Sequence, residues 1–206
     1  MSAVDVDYAV EGEGPPLYLV HGIGSRKVGW SGLIPHLKDN FTCVTCDLRG
    51  HGESPIPSVP YSLDDLVNDL ETLRAKLGHE KIHVMGHSLG GMIAPAYVRE
   101  HPDRCLSVGL LSTAAGRTED DRAKLRAVII AMHEKKIEKA LETLVERWYT
   151  DEFIVARPDA IKNQIQQVLD TPADVFLDVF RIYEETKMAP WLHEIKKSLS
   201  RVNRRI

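Results

Sequence analysis

The sequence predicts an α/β fold in which a mostly parallel, doubly wound sheet carries a helical cap. Two observations support this: apolar strands alternate with helices over residues 1–115, and helical signals alone run from 116 to about 191. The last residues differ again, because every ionisable side chain after Glu194 is basic. We therefore predict a core over 1–115, a helical cap over 116–193 and a basic tail over 194–206.

The predicted strands are short and mainly apolar, as expected for a sheet covered on both faces. The first alternates apolar and polar side chains, which is typical of a half-buried strand, and those that follow are nearly continuous apolar runs. The predicted strands are 4–10, 17–20, 41–46, 82–85 and 106–111.

The most clearly specified helix follows Ser62. Ser62 and Asp65 have the spacing of a capping box, and leucine and valine side chains then recur on one face as far as Gly78. Two further core helices are predicted over 30–37 and 91–100. In the cap, helices are predicted from Thr118, from Ile137 to Trp148, after Pro158 and after Thr171 and Pro172.

The composition argues against several classes of partner. A net charge of −4, from 26 basic and 30 acidic side chains, is too small to favour nucleic acid or an anionic membrane. No apolar run approaches the roughly 18 residues that span a bilayer. The first ten residues contain no basic region followed by an apolar one, so we predict no secretory signal. We therefore predict a cytoplasmic protein with no nucleic-acid or membrane partner. Cys43, Cys46 and Cys105 are interpreted as reduced core thiols, and no metal or cofactor is predicted.

The motif Gly86-His87-Ser88-Leu89-Gly90 predicts a serine nucleophile. A G-x-S-x-G sequence between an apolar strand and a helix is typical of a strained turn that exposes the serine hydroxyl. Here an apolar strand precedes the motif and a helical segment follows it. We therefore predict that Ser88 is the catalytic residue.

Acyl transfer also requires hydrogen-bond donors for the oxyanion that develops on the substrate. One predicted donor is the amide of Leu89, which directly follows the nucleophile at the positive end of a helix. The other lies in the glycine-rich turn 21–24, which follows a neighbouring buried strand. We favour the amide of Ile23, with Gly24 as the second choice.

The segment from Asp47 to Ser54 concentrates Asp, Arg, His and Glu side chains. It follows the third strand, where charged groups can satisfy the loop backbone and one another. We interpret this segment as structural, with a direct catalytic role for His51 as the alternative.

Together, His21-Gly22, the segment 47–54 and the segment 86–91 resemble the corresponding motifs of the α/β-hydrolase superfamily. The resemblance covers nearly the whole chain. It implies a serine hydrolase that acts on carboxylic esters or lactones, with the cap as the specificity element. Within the superfamily, the segment 147–153 is similar to a stretch of the 3-oxoadipate enol-lactonase group, which implies small-molecule ester or lactone substrates.

The C-terminal end departs from this family. The family continues past a segment like 189–195 into a strand that ends near an aspartate, and then into a last strand and a histidine loop. Residues 196–206 carry neither an apolar strand nor that acid, so the resemblance implies an incomplete α/β-hydrolase fold. In such a sheet the strand 106–111 is an edge with unpaired backbone groups, and we predict possible self-association through it.

Two groups of residues are candidates to replace the missing acid and base. Glu119, Asp120 and Asp121 follow the fifth strand, but acidic residues in a first helical turn ordinarily interact with the helix dipole. His133 and His193 are interpreted as histidines on or beside cap helices. The sequence therefore predicts a nucleophile without its usual partners.

Two functions are consistent with these observations. The first is a serine hydrolase for a carboxylic ester or lactone, impaired by the missing acid and histidine, with hydrolysis of carbon–carbon bonds in diketones as a close variant. The second is a non-catalytic ligand-binding remnant, or a fragment of a longer or split hydrolase. Trp30, Trp148 and Phe153 are candidate substrate-binding residues, with packing in the core as the alternative.

Overall fold

The computed structural model describes residues 3–58, 60–133, 145, 148–196 and 198–202. Six strands form one sheet in the order β1-β3-β2-β4-β5-β6. The pair β1–β3 is antiparallel and the other pairs are parallel, which confirms the mostly parallel sheet. The strands are β1 (Tyr8–Glu11), β2 (Pro16–Val20), β3 (Thr42–Cys46), β4 (Ile82–His87), β5 (Cys105–Leu111) and β6 (Ser198–Val202).

Helices α1 and α2 belong to the core, and four more helices of the described residues lie between β5 and β6 in the chain. Within the described residues these are α1 (Leu63–Lys76), α2 (Gly90–Glu100), α3 (Glu119–His133), α4 (Asp151–Ala156), α5 (Pro158–Leu169) and α6 (Ala173–Glu185). Their position confirms that helical segments follow the fifth strand.

Apolar side chains are buried on both faces of the sheet. Along β2, Tyr18 and Val20 point into the larger core cluster, whereas Leu17 and Leu19 point into the smaller one. Adjacent residues of a strand face opposite sides, so β2 is covered on both. This confirms the doubly wound arrangement.

Helix α1 begins with the predicted capping box. Asp65 N–H donates to Ser62 Oγ at 3.3 Å, and Ser62 N–H donates to Asp65 Oδ2 at 2.9 Å. The predicted apolar face lies in the larger core cluster, where its buried members are Leu66, Val67, Leu70 and Leu73.

One helical prediction was wrong, and one helix was missed. The helix predicted over 30–37 is instead a pair of 3₁₀ turns, Lys27–Trp30 and Ile34–His36. Glycine has low helix propensity, which explains the break at Gly32 between the two turns. Pro35 lacks the N–H that a continuous α-helix would need at that position. Helix α4 was not predicted. Of the helix predicted from Ile137 to Trp148, only Val145 and Trp148 are among the described residues.

The basic tail predicted over 194–206 contains a strand that the sequence did not indicate, β6. This strand pairs in parallel with β5, placing Val108 opposite Leu199 and Leu110 opposite Arg201. Backbone hydrogen bonding to β5 requires no continuous apolar run, so composition did not indicate the strand. Strand β5 is therefore not an edge. Within the described residues β6 is the last strand on this side of the sheet, and self-association stays a prediction.

All three cysteines are buried, and none of them forms a disulfide. None of the helices in the described part of the chain combines the length and the apolar content that a bilayer crossing requires.

Candidate active site

Ser88 lies in the sharp turn between β4 and α2. Its backbone φ is 53°, in the left-handed region that non-glycine residues rarely adopt. Its N–H donates to the carbonyl oxygen of Leu111 at 3.0 Å, which ties the turn to the end of β5. A serine in a strained strand-to-helix turn has the backbone geometry of a nucleophile elbow.

Glycines on both sides of Ser88 allow the close packing of this turn. A Cβ atom on Gly86 would overlap the carbonyl oxygen of Gly90, and one on Gly90 would overlap the carbonyl oxygen of Val20. The motif therefore requires glycine at both positions for steric reasons.

The glycine-rich turn 21–24 lies against Ser88. A Cβ atom on Gly22 would lie 2.9 Å from Cβ of Ser88, and Gly90 N–H donates to the carbonyl oxygen of His21 at 3.1 Å. The two turns meet because β2 and β4 are parallel neighbours. The predicted oxyanion donors Leu89 and Ile23 therefore belong to adjacent turns that flank the serine, and their roles stay predictions.

Both backbone polar groups of Gly24 are engaged elsewhere. Its N–H donates to Nε2 of His51 at 3.2 Å, and its carbonyl oxygen accepts from Nε2 of Gln164 at 2.8 Å. This argues against Gly24 as an oxyanion donor. The second bond also joins the turn to α5, so a helix of the segment after β5 supports the site.

His21 and His51 pack against each other and bond to the backbone. Leu48 N–H donates to Nε2 of His21, so Nδ1 of His21 carries the proton and donates to the carbonyl oxygen of Gly22. In the same way, Nε2 of His51 accepts from Gly24, and Nδ1 donates to the carbonyl oxygen of Arg49. Burial lowers the pKa of His21 to about 3 and that of His51 to about 4. Both rings are neutral supports of the turns, which agrees with the structural interpretation of 47–54.

This arrangement predicts that acid destabilises the protein. In the unfolded chain the pKa of His51 is 6.5, whereas burial lowers it to about 4 in the folded chain. Between these values only the unfolded state binds the proton, so the stabilisation is complete above about pH 6.5 and is lost as the pH falls towards 4. The expected loss from His51 alone is about 3 kcal/mol.

Urea unfolding of wild type and H51Q between about pH 7 and pH 4.5 checks this expectation. The glutamine side chain can still accept from Gly24 but does not titrate, so the free energy of unfolding should depend less steeply on pH in H51Q. H36Q, which removes an exposed histidine, is the control and should retain the wild-type dependence. Equal slopes for wild type and H51Q would show that His51 is not the cause.

The hydroxyl group of Ser88 contacts a residue that the sequence did not indicate. Tyr183, on α6, places its phenol oxygen 3.3 Å from Ser88 Oγ. In the described part of the chain, no histidine or carboxylate is hydrogen-bonded to Ser88 Oγ. The only available signal was the spacing of Phe176, Phe180 and Tyr183, which predicts a buried helix face and carries no mark of catalysis.

The proposed replacements for the acid and base lie in other environments. Glu119 pairs with Arg126, and Asp121 accepts from Thr118 at the start of α3. His193 is exposed in a 3₁₀ turn, and the side chain of His133 lies outside the described residues.

The predicted substrate-binding aromatics have different positions. Trp30 is buried with Leu17 and Leu19 in the smaller core cluster, which favours the core-packing alternative. Trp148 and Phe153 are each 37% exposed, and the Phe153 ring stacks on Tyr149 with centroids 5.2 Å apart. A substrate-binding role for these two stays a prediction.

Comparison with known proteins supplies independent information. A family model described as the alpha/beta hydrolase fold matches residues 15–129. An uncharacterized protein of Mycobacterium tuberculosis is 33% identical over 125 residues, which cover 61% of this chain but only 36% of that protein. The chain thus spans about a third of that relative's length.

Two further matches extend over almost the whole chain. The 3-oxoadipate enol-lactonase 2 of Acinetobacter baylyi is 26% identical over 194 residues, covering 93% of this chain and 72% of that protein. The solved enol-lactonase of Burkholderia xenovorans LB400 superposes with a TM-score of 0.88 at 22% identity, covering 97% of this chain and 79% of that one. The second match shows a shared fold.

Proposed function

Because this chain belongs to the α/β-hydrolase fold family, we propose that Ser88 is the nucleophile of acyl transfer from a carboxylic ester or lactone. The observation that supports this most strongly is the turn between β4 and α2, where Ser88 has a φ of 53° beside a second glycine-rich turn. The similarity to enol-lactonases supports a small ester or lactone as substrate.

The proposed reaction uses groups on both turns. Ser88 Oγ attacks the substrate carbonyl carbon, and the carbonyl oxygen becomes negatively charged. The amides of Leu89 and Ile23 then donate to this oxyanion, an interaction that is stronger in the transition state than in the bound substrate.

The activity is expected to be weak. An isolated serine hydroxyl is a poor nucleophile and is normally activated by an adjacent base. Within the described residues, Ser88 Oγ is hydrogen-bonded to the phenol of Tyr183 and to no histidine or carboxylate. By analogy with dissected serine hydrolases, loss of the histidine lowers kcat by on the order of 10⁴-fold or more.

The same observation favours the second candidate function. Two turns without a base hydrogen-bonded to Ser88 are also consistent with binding an ester or lactone without cleaving it. The chain would then be a ligand-binding remnant, or one part of a longer or split hydrolase.

Hydrolysis of p-nitrophenyl acetate and of a γ-lactone by wild type, S88A and S112A distinguishes the two functions. Ser112 is the matched control, because it also has a positive φ, 46°, and follows the end of β5. We expect S88A to fall to the uncatalysed rate and S112A to keep the wild-type rate. Equal rates for wild type and S88A would exclude Ser88 as the nucleophile and favour the non-catalytic function.

A further inference from the structure

Tyr183 is the point at which the helices after β5 reach the reacting atom. Its phenol oxygen lies 3.3 Å from Ser88 Oγ, although 95 residues separate the two in the chain. The hydroxyl group is therefore close to any atom that is bonded to the same carbon as Ser88 Oγ during acyl transfer.

The ring of Tyr183 is held in place on more than one side. The side chain is 7% exposed, and Phe180 packs against it edge to face with ring centroids 6.1 Å apart. The guanidinium group of Arg117 lies 4.7 Å from the ring centroid, within the range of a cation–π interaction. These contacts restrict where the phenol oxygen can lie relative to Ser88.

The protonation state of Tyr183 limits what it can do. Burial raises the pKa of Tyr183 to about 12, against smaller opposing effects of Ser88 and Arg117. The phenol is therefore protonated at neutral pH and does not act as a preformed base. It can accept one proton only while it gives up another.

We propose that Tyr183 is a catalytic residue that relays the proton of Ser88 to the leaving oxygen of the substrate. The proposal rests on Ser88 being the nucleophile. As Ser88 Oγ bonds to the carbonyl carbon and the carbon–oxygen bond of the leaving group breaks, the Ser88 proton passes to Tyr183. The phenol's own proton passes at the same time to the leaving oxygen, which departs as an alcohol, or remains on the acyl chain as a hydroxyl when the substrate is a lactone.

The second half of the cycle uses the same relay in reverse. Water attacks the carbonyl carbon of the acyl-enzyme and gives a proton to Tyr183, while Tyr183 gives its proton to Ser88 Oγ as the ester bond breaks. The carboxylic acid leaves, and Ser88 and Tyr183 are both neutral again. Tyr183 thus carries no charge before or after either step.

The test compares kcat/KM for two acetate esters in wild type and Y183F. This ratio reports on formation of the acetyl-enzyme and not on its hydrolysis, a step that the two esters share. The p-nitrophenolate group of p-nitrophenyl acetate leaves without a proton, whereas the ethoxide group of ethyl acetate requires one. General acid–base catalysis contributes about 10²–10⁴-fold to a rate. We therefore expect Y183F to lower kcat/KM about 100-fold for ethyl acetate. For the nitrophenyl ester the decrease should be smaller by a factor of at least about 10. A phenylalanine ring retains the packing, so the melting temperature should change little.

Two controls separate the possible failures. Y18F removes a different buried phenol, whose oxygen lies 2.8 Å from Nδ1 of His79, and should leave both rates unchanged. If S88A cleaves p-nitrophenyl acetate as fast as wild type, the proposed function fails and the relay fails with it. If S88A is inactive, three results overturn the relay alone. These are an equal fall in kcat/KM for both esters in Y183F, no fall in kcat/KM for either ester, and cleavage of only the nitrophenyl ester by wild type.

Discussion

Replacing Asp69 by alanine should lower the free energy of unfolding by about 3–5 kcal/mol, the usual cost of breaking a buried ion pair. Asp69 accepts from Nε and Nη2 of Arg49, each at 2.6 Å, and both side chains are almost fully buried. D69A would remove the carboxylate that accepts these bonds and leave the charge of Arg49 in a low-dielectric environment. Arg49 belongs to the segment 47–54, and His51 of this segment accepts a hydrogen bond from Gly24. Loss of the ion pair should therefore also loosen the turn 21–24 beside Ser88.

Urea unfolding of D69A and D5A measures this effect against a matched control. Asp5 pairs with Lys76 at 2.6 Å, but both side chains are largely exposed. Exposed ion pairs contribute about 1 kcal/mol or less, so D5A should be close to wild type. If D69A were no less stable than D5A, the buried pair would not hold the loop as we infer.

Replacing Gly86 by alanine should destabilise the protein by more than about 3 kcal/mol and abolish ester hydrolysis. The added methyl group would press against backbone atoms, and a side-chain rotation cannot relieve such a contact. The added Cβ atom would overlap the carbonyl group of Gly90 and approach the amide nitrogen of Gly91 to 2.6 Å. Either β4 or the start of α2 must then move, and Ser88 lies between them.

The control for this prediction is G32A, at a glycine where an added Cβ atom meets nothing within 4 Å. Thermal melts and p-nitrophenyl acetate hydrolysis should show G32A close to wild type and G86A impaired in both. A G86A protein with wild-type stability and activity would show that the turn does not depend on this close approach.

The elements that sequence analysis predicted well are those with local signals. The capping box of Ser62 and Asp65 acts within one helical turn, and the apolar face of α1 follows from the 3.6-residue period. The turn around Ser88 was predicted for a similar reason, because the glycines that its geometry requires lie within two residues of the serine.

The features that were missed depend on distant parts of the chain. Strand β6 forms through backbone pairing with β5, more than 80 residues earlier, and its composition carries no apolar pattern. The bond between Gly24 and His51 likewise depends on how two loops meet. The approach of Tyr183 to Ser88 depends on how α6 packs on the core, which helical periodicity does not specify.

Trp30 illustrates the same limit for substrate-binding residues. A tryptophan beside a glycine-rich turn is compatible with either a pocket or a core position. The side of the sheet on which the Lys27–Trp30 turn packs decides between them, and that turn lies against Leu17 and Leu19.

Labelling with a fluorophosphonate, followed by mass spectrometry of the digested protein, tests most directly whether residue 88 is an activated nucleophile. We expect a single adduct on the peptide that contains Ser88, formed slowly in wild type and S112A and absent from S88A. Equal adduct formation in wild type and S88A, or no adduct on a folded wild type, would contradict the assignment of Ser88 as the nucleophile.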